Sequence, residues 1–165
     1  MLALTLDNFE RIQMEMPSHG VVSLRRMSIG EFDYFRVAGR YISEETGQNT
    51  GIFNLLFNLA AAGIMSQNDK ATFKGLCEEI DTIMQVPPPY ANPGRFVSYF
   101  KVDAMDRACL ILSPLMRLAE KYNEPYHVLL CNALPGEVVY EDGLQIVVEM
   151  PELPKMRRII LPDSE

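Results

Sequence analysis

At 165 residues, nearly half of them apolar and 22% charged, the chain is long enough to bury a core and too rich in Ile, Leu, Val and Phe for disorder. Its net charge of −7 excludes nucleic acid as a routine ligand, because phosphate binding needs a basic face to displace counterions. The longest apolar stretch, residues 55–65, is interrupted by Asn58 and Gly63 and falls short of the ~20 residues a bilayer requires, which excludes a membrane span.

In chain order, Phe9, Ile12 and Met16 fall at helical spacing before Pro17, predicting a helix over 4–16, then a turn and a brief strand at Val21, Val22 and Leu24. Ser28-Ile29-Gly30-Glu31 has the spacing of a capping box, so a helix is expected from Ile29. Phe32, Phe35, Ala38 and Ile42 would form its apolar face, with Asp33, Arg36 and Arg40 opposite and Gly47 as its left-handed exit. Residues 50–65 are apolar nearly all round, which predicts a helix in the middle of the fold. Phe73, Leu76, Cys77, Ile80, Ile83 and Met84 make one stripe of a further helix ending near 85.

Residues 86–94 hold four prolines and cannot be helical; they read as a rigid connector between two halves of one domain. Phe96, Ser98 and Phe100 alternate as a strand over 95–102. For 103–122 two readings stand: one helix carrying Pro114, or a strand at 109–112 followed by a helix that starts at Pro114. Residues 126–130 read as a strand, and the alternation of 138–140 and 146–148 about Glu141-Asp142-Gly143 as a β-hairpin. The expected fold class is α+β in a single domain over 1–165. A helical body of four to five helices packs around residues 50–65, with a small C-terminal antiparallel sheet or hairpin.

No motif fixes a reaction. His19 and His127 are the only histidines, neither in a metal-ligand spacing, so a metal centre would have to be built mostly from carboxylates and no metal is assigned. GxSxG and glycine-rich phosphate loops are absent, so no catalytic residue and no cofactor is assigned. Cys77, Cys109 and Cys131 are widely spaced in apolar stretches and form no CxxC pair, which reads as buried reduced thiols. With Asp7, Glu10 and Glu15 in place of the basic and apolar start of a secretory signal, they point to a cytoplasmic protein.

Two charge clusters stand out. Residues 123–152 contain six carboxylates and no Lys or Arg, leaving one uniformly negative region. It suggests a non-catalytic module of the inhibitor, immunity or anti-defence type, docking a protein partner with a basic surface through Glu137, Tyr140, Glu141, Asp142, Leu144, Glu149 and Glu152. The second cluster, Arg25, Arg26, Arg36 and Arg40 beside Tyr34 and Tyr41, could hold a phosphate or carboxylate by forked hydrogen bonds; it supports an alternative reading as a small anion-binding enzyme or ligand-binding protein. A self-associating structural subunit, a homo-oligomer, is the third reading.

Overall fold

The structure, a computed structural model, describes residues 31–152. The helix expected over 4–16, the strand at 21–24 and the Ser28 cap lie outside the described residues.

The expected helix from Ile29 is instead a strand, β1 (Tyr34–Ile42). Its residues Phe35 to Gly39 are all buried, so the strand lies between two packed faces and the period-two alternation that would reveal it is absent. Tyr34, Phe35, Val37, Tyr41 and Ile42 are aromatic or β-branched, and this composition outweighs the chance helical spacing of Phe35, Ala38 and Ile42. Gly47 does adopt a left-handed conformation (φ 67°), but in the turn from β1 to β2 (Asn49–Gly51).

Two helices follow directly, α1 (Ile52–Ala61) and α2 (Gln67–Ile83). After the 3-10 turn Pro88–Ala91 come β3 (Phe96–Lys101), α3 (Met105–Lys121), β4 (Tyr126–Cys131), β5 (Glu137–Glu141) and β6 (Gln145–Glu149). The described residues thus form three α-helices and one six-stranded antiparallel sheet beginning at residue 34, which overturns the expected helical body with a small C-terminal hairpin. The hairpin itself is present as β5 and β6, at one edge of this larger sheet.

The 103–122 segment resolves as one helix, α3, with Pro114 inside it. Proline removes the bond to the carbonyl four residues back, here that of Leu110. Leu110 is 67% exposed, so that carbonyl lies on the outer side of the helix, where water can take the bond. The centre of the fold is this helix and not 50–65. Ten residues of α3 are buried, including Ile111, Leu112 and Leu115, which are fully enclosed. In α1, by contrast, only Ile52, Leu55, Leu56 and Leu59 are buried, while Phe57 is 53% exposed.

The three helices cover one face of the sheet, where Phe35, Val37 and Phe100 join the main core. Val97, Tyr99, Ile146 and Val148 form a second, smaller cluster on the opposite face. Among the described residues no helix is long and apolar enough to cross a membrane.

A polar clasp ties α2 to α3. The Ser66 hydroxyl caps α2 by accepting from the Asp69 N–H at 3.1 Å. The Asp69 carboxylate accepts from Lys121 Nζ at 2.8 Å and from the Tyr122 hydroxyl, which itself accepts from the Ser66 N–H at 2.9 Å. Lys121 first, then Tyr122, hold the Asp69 carboxyl down at about 2. Because this lies below the unfolded value, the clasp contributes fully above the ordinary carboxylate range and is lost as pH falls toward 2. Urea unfolding between pH 5 and 2 is expected to show a falling acid limb that is flatter in Asp69→Asn.

Candidate functional site

Strand β1 pairs along one edge with β4, from Tyr34 opposite Cys131 to Gly39 opposite Tyr126. On its other edge it begins against β3, with Tyr34 opposite Lys101 and Phe35 opposite Phe100. It then leaves β3 and pairs with β2, Ala38 opposite Gly51 and Ile42 opposite Asn49, with an irregular register between. The sheet therefore branches at Arg36 and Val37, and a cleft opens between β1 and the lower half of β3.

The cleft has two lobes that share Arg36, Gly51, Asn54, Tyr90, Phe96 and Val97. The wider, about 1040 Å³, is mixed in character, walled by Asn49, Asn58, Asn92 and Thr50 together with Pro93 and Phe96, with Glu45 and Arg95 contributing opposite charges. The narrower, about 480 Å³, runs under α1 and α2 and is walled by Phe53, Phe57, Ile80, Met84 and Phe100, with Asp81 and Gln145 among its polar groups. Both volumes are of the order of small-molecule sites.

Arg36 stands where the lobes meet. The residue is only 7% exposed, yet its Nε and Nη1 atoms are buried without an acceptor among the described residues. Its guanidinium lies over the Tyr99 ring, 5.6 Å from the centroid. Gly51 makes room for it, since a Cβ there would stand 3.3 Å from Arg36 Nη2. Burial pushes the guanidinium below its ordinary value; the groups that push back are Tyr99, Tyr90 and Cys131, none of them a carboxylate. A cation–π contact is worth about 2 kcal/mol when desolvated, whereas burying an unpaired ion costs several kcal/mol. Tyr99 alone does not offset that cost, and an anion in the cleft would.

Tyr90, on the 86–94 segment, forms part of the wall. Its hydroxyl is 2.5 Å from Ser98 Oγ and its ring meets Phe96 edge-on at 5.8 Å. The Gln145 amide is anchored by donating to the Gln85 carbonyl at 2.8 Å. Two other charged residues have a single buried unpaired atom, Arg117 Nε and Glu124 Oε2, but both are only partly buried and neither lines the cleft.

The sequence-derived arginine cluster is dispersed. Arg36 is buried in the cleft, whereas Arg40, four residues on in the same strand, is exposed and donates to the Tyr41 hydroxyl at 2.8 Å. Arg25 and Arg26 lie outside the described residues. The acidic set divides as well. Glu141 pairs with Lys101 Nζ at 2.6 Å. Asp142 builds the hairpin turn, accepting from the N–H groups of Leu144 and Gln145 and from the Tyr140 hydroxyl. Those donors outweigh the burial that raises it, so Asp142 sits below the usual carboxylate range. Leu144, 1% exposed, belongs to the main core and presents no docking surface, and Tyr140 is half-buried. Glu137, Glu149 and Glu152 are exposed.

Cys109 is buried, and Cys77 and Cys131 are partly so, all three free. Burial pushes each thiol up, Cys109 to about 11, so none is a thiolate at neutral pH. His127 lies in β4 opposite Ala38. No group of three or more His, Cys, Asp or Glu among the described residues could hold a metal ion. Comparison of the chain with protein-family models, curated proteins and solved structures finds no match in any of the three.

An arginine kept for a ligand is a liability without one. Arg36→Met, which fills the same space with no charge, is expected to stabilise the unliganded protein by roughly 1–4 kcal/mol, read from the urea midpoint at unchanged slope.

Proposed function

We propose that the protein is a binding module for a small organic anion, held in the branch cleft with Arg36 as its charge partner. The observation that carries this reading is the buried guanidinium whose Nε and Nη1 have no acceptor, and which no carboxylate offsets, among the described residues. A guanidinium remains charged at any physiological pH, and its planar fork matches a carboxylate or phosphate edge. The reading is one of binding: no described group beside Arg36 combines the geometry and the thiolate or imidazole character of a nucleophile or base. Three free thiols support a reducing, cytoplasmic setting.

Ligand binding to the folded state alone raises stability in proportion to the logarithm of ligand concentration. Carboxylates and phosphates, compared with chloride at constant ionic strength, should therefore raise the melting temperature of the native protein. Arg36→Met should melt higher without ligand and respond to none of them; an equal response in this variant would defeat the proposal.

A second reading is favoured by one feature of the C-terminal hairpin. Glu137 stands directly opposite Glu149 across the β5–β6 pair, and neither has an ion pair among the described residues. Like charges in this position are destabilising, and a basic protein surface laid over the edge would relieve them. On this reading, docking narrows to Glu137, Glu149 and Glu152 with the exposed Val138 and Val139. Glu137→Lys should stabilise the isolated protein by roughly 0.2–1 kcal/mol in urea unfolding, while reducing its salt-sensitive association with a basic protein such as a histone. Unchanged association would remove this second reading.

A further inference from the structure

We infer that the cleft's ligand is a monocarboxylate with an apolar body, its carboxylate paired with Arg36 and its body seated in the narrower lobe beneath α1 and α2. The inference rests on Arg36 being the anion partner, and it adds the head group and the tail.

The head follows from the charges in the cleft. Among the described residues Arg36 is the only cation lining the narrower lobe, and Asp81 already places one negative charge there. In the wider lobe Arg95 faces that space together with Glu45, and Arg95 Nε donates to the Met150 carbonyl at 3.3 Å. One guanidinium can balance one negative charge. A phosphate monoester would carry a second charge next to Asp81 with nothing left to meet it. A carboxylate carries that single charge and can accept from a guanidinium N–H.

The tail follows from the walls. Phe53, Phe57, Ile80, Met84 and Phe100 line a lobe of about 480 Å³ that Arg36 also lines. Phe57 and Val86, which also line it, are 53% and 60% exposed, large apolar side chains left facing water. An apolar body in the lobe would cover them. Methionine at 84 supplies an adaptable wall, able to fit a flexible chain or a ring.

The test follows the Arg36 Nε–H resonance of the full chain, labelled with nitrogen-15, during titration with acetate, butyrate, hexanoate, octanoate and octyl phosphate. Affinity is expected to rise roughly fourfold per methylene from acetate onward, as each buried methylene contributes about 0.8 kcal/mol. Octyl phosphate in its dianionic form should bind more weakly than octanoate. Phe57→Asp, at an exposed position, should abolish the chain-length gain while acetate still shifts the resonance; Phe57→Ala should weaken octanoate about tenfold. If acetate and octanoate bind equally, the apolar body is wrong while the anion reading survives. If octyl phosphate binds more tightly than octanoate, the carboxylate head is wrong. If octanoate binds Arg36→Met as tightly as the native chain, measured by calorimetry, the anion reading itself falls.

Discussion

Strand β1 has two edges and three partners, and the architecture follows from how it divides them. One edge is spent wholly on β4. The other serves β3 for two residues and β2 afterwards, so the chain must separate two strands that would otherwise lie side by side. A separation inside a sheet exposes backbone and side chains that belong to neither pairing. Here the exposed space is walled by α1, by the Pro88–Ala91 turn and by the side chains of β3, and it remains open as a cleft. The position at which pairing changes hands is occupied by an arginine.

On the proposed reading, this arrangement sets stability and binding in opposite directions. The main core of α3, α1 and the helix-facing side of the sheet supplies the apolar burial that holds the fold. The clasp of Asp69, Lys121 and Tyr122 fixes the helix layer from its far end. Against these, Arg36 is a cost carried in the middle of the sheet, of the sort that proteins keep at sites that bind something. The ring beneath it, Tyr99, belongs to the smaller cluster on the opposite face, so that cluster positions the guanidinium as well as burying Val97 and Val148.

Much of the C-terminal two thirds was legible from residue spacing: α2, β3, β4 and the β5–β6 hairpin all have clear periods or turn residues, while Pro114 left 103–122 open between one helix and a strand with a helix. Strand β1 was not, because burial on both faces erases alternation while Phe35, Ala38 and Ile42 happen to repeat at helical intervals. That one misassignment hid the sheet, since β1 is the strand to which β2, β3 and β4 all attach. Arg36 was legible as a candidate anion partner, but its separation from Arg40 was not: on a helix the two would share a face near one ligand, whereas in β1 one lies in the cleft and the other in solvent. Asn54, Tyr90, Phe96 and Gln145 carried no local signal, because a wall assembled from α1, a proline-rich turn and two strands exists only after folding. The hairpin carboxylates looked equivalent in sequence; backbone geometry separates Asp142, occupied in the turn, from Glu137 and Glu149, which face each other.

The edge strand β5 shows how the protein deals with an open sheet border. Val138 and Val139 are exposed along it, an arrangement that invites another chain to add a strand. The register breaks between Val138 and Tyr140, and a glutamate begins the strand. A bulge removes the flat run of donors and acceptors that a growing fibril would copy, and the charge repels an identical border approaching it. The same carboxylate opposition that weakens the hairpin locally thereby acts as a gatekeeper against amyloid-like stacking.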